Sequence, residues 1–98
     1  MLKKSYTKTG KACRVTFQLP ENVEGAKASL LGEFNSWDSA ATPMKKLKKG
    51  GFSATVSLDA GQEYRFRYLV DGERWLNDEQ PDSLVVNRFG SQDCVVTV

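Results

Sequence analysis

From Phe52 to Asp59 apolar and polar residues take strict turns, with Phe52, Ala54, Val56 and Leu58 set against Ser53, Thr55, Ser57 and Asp59. A period of two turns one set toward a core and the other toward water, which a strand does and a helix does not. The same period runs through Cys13, Val15, Phe17 and Leu19, and again through Tyr64, Phe66, Tyr68 and Val70, the latter alternating with Arg65, Arg67 and Leu69. A more apolar strand is expected over residues 26–34, with Ala28, Leu30 and Phe34 on one side. Met44 to Lys48 suits a short edge strand whose lysines discourage pairing with other sheets. Between these runs lie turn residues: Pro20 to Gly25, Gly50-Gly51, Asp59-Ala60-Gly61 and Asp71-Gly72, the last leading into a returning strand over Glu73 to Asn77. Asn35 to Pro43 reads as a surface loop with at most one helical turn, and a loop rich in Asp, Pro and Asn precedes a last strand, Cys94 to Val98. The expected fold is all-β, about seven to eight antiparallel strands, a sandwich in preference to a five-stranded barrel on strand count.

With 98 residues the chain has material for one core. It is expected to be a single module, residues 1–11 being a loosely attached strand or tail. No apolar run is long enough to cross a bilayer, and Met1-Leu2-Lys3-Lys4 leads into no signal-peptide core, so a cytoplasmic setting is expected. There Cys13 and Cys94 are expected as free buried thiols, a staple between the first and last strands being the alternative. The chain has no histidine and its two cysteines are far apart in sequence, so the usual ligands of a transition metal are missing and neither a metal nor a cofactor is expected. Residues 1–49 carry ten Lys/Arg against four Asp/Glu, and residues 50–98 four against eight, an asymmetry that brings nucleic acid into consideration.

Three motifs stand in order: Leu31-Gly-Glu-Phe-Asn-Ser-Trp37-Asp, Tyr64-Arg-Phe-Arg-Tyr-Leu-Val-Asp-Gly-Glu-Arg-Trp75-Leu-Asn-Asp and Asn87-Arg-Phe-Gly-Ser-Gln-Asp93. With them the chain, from about residue 12 to its C-terminus, resembles a family 48 carbohydrate-binding module. Such modules form the early-set immunoglobulin-like domain ahead of the catalytic barrel in glycogen branching and debranching enzymes, and the glycogen-binding domain of AMP-activated kinase β subunits. The resemblance implies an immunoglobulin-like sandwich that binds α-1,4-linked glucan. It further implies that Trp37 and Trp75 stack on glucose rings, that Arg67 stands where the family has a basic strand residue, and that Phe89 projects into the sugar chain. Ser91 takes the place of the small hydroxyl residue after the following glycine. At Asp93 the family typically has Asn, and an ionised carboxylate accepts hydrogen bonds where an amide also donates them. Gly72-Glu73-Arg74-Trp75 is one residue longer than the kinase-type spacing.

The chemistry of a pyranose explains the residue types. One face of the ring offers C–H groups and its rim offers hydroxyls, so a flat apolar platform with hydrogen-bonding neighbours holds it. Two indoles each covering roughly 50–80 Å² contribute about 2.5–4 kcal/mol before ordering costs. A few hydrogen bonds at about 1 kcal/mol each bring the affinity to roughly the millimolar or high-micromolar range, which avidity on a polymer raises.

Residue by residue, a plainer structural reading stands beside the functional one. Trp37 sits among Asn35, Ser36, Asp38 and Ser39, surroundings that favour exposure, although a tryptophan also caps the end of many sandwiches. A two-residue turn at Asp71-Gly72 sets Trp75 opposite Tyr68 and into the core, whereas a three-residue loop with a Gly72 bulge sets it opposite Arg67 and in solvent. Arg67 shares the solvated face of its strand with Arg65 and Leu69 in either register. Phe89 is free to tuck under the last strand, and Ser91 and Asp93 are also turn formers.

Catalysis is not expected: the acidic pair Asp78-Glu79 lies in a hydrophilic loop of a chain too small to enclose it. Any hydrolase activity associated with such a module belongs to enzymes that carry it. Two binding rivals remain, a protein partner on the same fold and, more weakly, single-stranded nucleic acid met by Lys45, Lys46, Lys48 and Lys49 together with exposed aromatics.

Overall fold

The computed structural model describes residues 2–98. Nine strands form two antiparallel sheets among them: β1 (Leu2–Tyr6), β2 (Ala12–Leu19), β3 (Ala28–Gly32), β4 (Lys45–Lys46), β5 (Phe52–Asp59), β6 (Glu63–Val70), β7 (Arg74–Leu76), β8 (Ser83–Val86) and β9 (Gln92–Thr97). One sheet runs β1-β2-β5-β4, the other β3-β6-β9-β8 with β7 added to β6. Their inner faces meet in one core. Cys13, Val15, Phe17, Leu19, Phe52 and Leu58 come from the first sheet, and Ala28, Leu30, Phe66, Tyr68, Val70, Cys94 and Val96 from the second. The Phe17 and Phe66 rings cross between the layers edge to face, 4.9 Å between centroids. The fold is therefore a β-sandwich, as the alternation predicts. Cys13 and Cys94 are both buried as free thiols. No helix among the described residues is long and apolar enough to cross a membrane.

Where the strands differ from expectation, edges and termini are the reason. The segment before the last strand is not all loop, because Ser83–Val86 forms β8 and pairs with β9 from Ser83↔Val95 to Val86↔Gln92. As a four-residue edge strand it leaves Leu84 and Val86 exposed, so it has no buried alternation to announce it. The last strand starts at Gln92, two residues earlier than the alternation suggests. At the N-terminus, Leu2–Tyr6 pairs along β2 from Leu2↔Phe17 to Tyr6↔Cys13. The Tyr6 hydroxyl donates to the Val98 carbonyl (3.1 Å), and Lys4 pairs with Asp82 (2.6 Å), tying this edge to the second sheet. β3 stops at Gly32, and Phe34 falls in a 3-10 turn, Glu33–Asn35, though its ring still packs on the core.

A buried polar cluster sits under the second sheet. Asp78 accepts a hydrogen bond from the Tyr68 hydroxyl (2.6 Å), and its own N–H donates to the Cys94 sulfur (3.1 Å). Burial, reinforced by the hydrogen bond to Asp78 and its charge, pushes the Tyr68 phenol well above its ordinary range. Burial likewise pushes the Cys94 thiol up. These contacts fix Asp78 and, next to it on the surface, Asn77.

Candidate functional site

Three loops deliver side chains to the outer face of the second sheet. The first follows β3. An added Cβ at Gly32 would lie 2.6 Å from the Arg65 carbonyl oxygen, so only glycine lets the chain pass this close to β6. The turn then closes on Asn35, whose Oδ1 accepts from the Gly32 N–H (3.0 Å) while its Nδ2 donates to the Leu30 carbonyl (2.9 Å) and the Thr42 hydroxyl (3.0 Å). Beyond it Ser36 and Trp37 both adopt left-handed backbone, φ 56° and 58°, and the Trp37 N–H returns to the Gly32 carbonyl at 2.9 Å. A tryptophan in that region carries a cost of about 1–2 kcal/mol, offset by these bonds. The indole is 36 % exposed.

The second loop is the β6–β7 hairpin. Asp71 and Gly72 take φ 54° and 70°, and the Glu73 N–H donates to the Val70 carbonyl. Val70 then pairs with Arg74 and Leu69 with Trp75. Of the two registers weighed from the sequence, the three-residue loop is the one formed, but Trp75 stands opposite Leu69 and not Arg67. One step in pairing separates the two positions, and since both lie on the outer face Trp75 is still in solvent, 47 % exposed. Its ring meets Arg67 diagonally, with the guanidinium carbon 5.4 Å from the ring centroid. Arg67 Nε donates to Asn77 Oδ1 (3.0 Å), and Asn77 Nδ2 donates to the Gln92 carbonyl (3.1 Å), so the guanidinium is held from both sides. Asp71 anchors the hairpin to the start of β3 by accepting from the Lys27 and Ala26 N–H groups, which hold its carboxyl below the usual range. Arg74 reaches the Glu24 carbonyl on the same side.

The outer face is less wet than alternation suggests. Arg65 and Arg67 do point outward, but Leu69 on the same face is buried, as is Leu31 opposite Arg67. Both leucines are shielded from solvent on this face.

The third loop joins β8 to β9 and is organised by Asn87. Its Oδ1 accepts from the Phe89 and Ser91 N–H groups (2.9 and 3.2 Å), and its Nδ2 donates to Ser91 Oγ (2.8 Å) and Asp93 Oδ1 (3.2 Å). Phe89 does not tuck under the last strand. It is 80 % exposed, with the Arg88 guanidinium 5.0 Å from its ring centroid. Asp93 is buried to 7 % exposure.

A groove of about 620 Å³ runs between these loops, lined by Trp37, Arg67, Trp75, Phe89 and Asp93, and also by Glu33, Arg65, Asn87 and Arg88. Ser91 is not part of the lining, its hydroxyl being engaged with Asn87 in the turn. Five of the six residues singled out from the sequence therefore share one surface. Of the four that were missed, Arg65 was visible through its parity with Arg67 and Arg88 through its place beside Phe89. Glu33 and Asn87 look in the sequence like ordinary turn residues; Glu33 holds the Arg65 N–H at 2.7 Å. The surface offers flat apolar rings, guanidinium donors and carboxylate acceptors side by side.

No curated protein matches the chain significantly. The family model described as the glycogen recognition site of AMP-activated protein kinase matches residues 8–98. With all but the first seven residues covered, the chain belongs to this family of glycogen-recognition, carbohydrate-binding domains.

Proposed function

We propose that the chain is a non-catalytic, cytoplasmic module that binds α-1,4-linked glucan in the groove above β6. Membership of a glycogen-recognition family supports carbohydrate binding in general. The observation that carries the specific reading is that Trp37 and Phe89, from two loops, and Trp75, from β7 just after the hairpin turn, leave their rings exposed around one groove. Water does not favour such an arrangement, and a ligand with apolar ring faces compensates for it. In this reading Trp37 and Trp75 receive glucosyl rings and Arg67, over the Trp75 ring, donates to ring hydroxyls. Phe89 projects against the sugar chain and Asp93 accepts from hydroxyls at the groove floor. Ser91 acts through the turn that presents Phe89.

Affinity electrophoresis in gels with and without glycogen tests the proposal. Wild type is expected to be retarded by glycogen, and Trp37→Ala and Trp75→Ala each to lose about 1.3–2 kcal/mol, a tenfold or larger drop in affinity. Equal mobility of all three proteins in both gels refutes glucan binding and leaves a protein partner as the reading to pursue.

A further inference from the structure

A neutral sugar needs hydrogen-bond donors but no net charge, and the groove carries more positive charge than hydroxyl recognition accounts for. Three guanidiniums line it, Arg65 and Arg67 from β6 and Arg88 from the β8–β9 turn, against the carboxylates of Glu33 and Asp93. The three guanidiniums exceed the two carboxylates by one charge, and neither carboxylate pairs with a guanidinium. Glu33 accepts from the Arg65 backbone N–H, and Asp93 accepts from Asn87. The ion pairs among the described residues, Lys4 with Asp82 and Arg74 with Asp71, lie elsewhere, and none of the three groove arginines forms one. Arg67 has a task, since Asn77 bonds it and Trp75 lies beneath it. Arg65 and Arg88 are exposed, Arg88 with its guanidinium over the Phe89 ring but in no ion pair, and Arg65 stands two residues from Arg67 on the same face, about 7 Å along the strand.

Cations gathered this closely repel one another, and an anion between them relieves that repulsion. A guanidinium fork also matches the oxygens of a phosphate group in a way it does not match a single hydroxyl. Resting on the α-glucan reading above, we infer that the groove prefers a glucan carrying phosphate monoesters, its rings on Trp37 and Trp75 and a phosphate taken by Arg65 and Arg88. The aromatic platforms favour a sugar chain over a bare anion. The phosphate supplies a charge near −2 at neutral pH, with a second ionisation near pH 6.

Calorimetric titration of the full chain decides it, with neutral maltoheptaose, maltoheptaose bearing one 6-phosphate, inorganic phosphate and a 15-nucleotide oligo-dT as probes. The phosphorylated sugar is expected to bind about tenfold more tightly than the neutral one at low salt. That ratio should shrink when salt is raised toward 0.5 M or the pH lowered to 5, and fall close to one in Arg65→Gln/Arg88→Gln. Arg65→Lys/Arg88→Lys keeps the charge without the fork and should retain part of the ratio. Equal affinity for the two sugars overturns this inference while leaving glucan binding intact. Failure of both sugars to bind removes the glucan reading itself. Oligo-dT or inorganic phosphate binding as tightly as the phosphorylated sugar overturns the inference in favour of a general anion surface.

Discussion

Asn35→Ala joins stability to function in one experiment, because its three hydrogen bonds close the loop that carries Trp37. The substitution removes the acceptor for the Gly32 N–H and both donors, to the Leu30 carbonyl and the Thr42 hydroxyl. At about 1 kcal/mol net for each bond, and more where a partly buried group is left without a partner, the expected loss is roughly 3 kcal/mol. For a domain of this size that lowers Tm by roughly 10–20 °C and brings the urea midpoint down by roughly 1–2 M. Glycogen affinity should fall as well, even in the population that stays folded. Ser36 and Trp37 keep their left-handed backbone only while the turn before them is closed, and without it the indole has no fixed orientation. Asn35→Asp sharpens the measurement: its carboxylate still accepts from Gly32 but faces the Leu30 carbonyl with no proton to give, so it should recover only part of the loss. Urea melts followed by tryptophan fluorescence, with affinity electrophoresis on the same samples, read both quantities. An Asn35→Ala protein that melts within about 2 °C of wild type, or binds glycogen as tightly, refutes the claim that this side chain holds the platform. An Asn35→Asp protein indistinguishable from wild type refutes the part assigned to the two donors.

Two further outcomes follow from the same contacts. The Tyr68 phenol is held neutral by burial and by Asp78, so its folded-state ionisation lies above the unfolded value near pH 10. Its contribution is complete below pH 10 and is lost as pH rises further, at about 1.4 kcal/mol per pH unit; Tyr68→Phe should be less stable at pH 7 by about 1–3 kcal/mol yet lose less on going from pH 10 to 11, as denaturant melts at the two pH values will show. Asp93→Asn retains an oxygen to accept from Asn87 at 3.2 Å and adds a donor toward the groove, so it should leave Tm within about 2 °C and raise affinity for neutral maltoheptaose several-fold, and a weaker sugar affinity measured by calorimetry contradicts the role given to that position.

The parts of this fold that could be foreseen are those where a side-chain pattern reports burial. Val15, Phe17, Phe66 and Tyr68 are fully buried because alternation places them between two sheets, and nothing else in the chain competes for that space. β8 lacks such a signal: its Leu84 and Val86 are exposed, and its pairing with β9 is a backbone matter. The candidate site divides in the same way. Trp37 stood out as a large ring among polar neighbours, and Arg65 and Arg67 follow from parity. The face of Trp75 depended on one residue of loop length, which composition near Asp71-Gly72 does not fix: Asp-Gly with positive φ at both positions also suits a two-residue turn, and it is the pairing of Val70 with Arg74 that makes the connection three residues long.

The hairpin and the two other loops share one construction. Each exposed ring is paired with a buried or bonded residue that sets its direction: Asn35 before Trp37, Asp71 before Trp75, Asn87 before Phe89. In all three the polar side chain bonds to backbone N–H groups within its own or an adjoining turn, at distances between 2.8 and 3.2 Å. An exposed aromatic on an untethered loop collapses onto neighbouring apolar surface, because that burial is favourable by about 25 cal/mol per Å². The Asx side chains are what oppose this collapse. They keep the rings exposed at the cost of three strained or tightly specified turns, and a groove lined by Trp37, Trp75 and Phe89 exists only while all three hold.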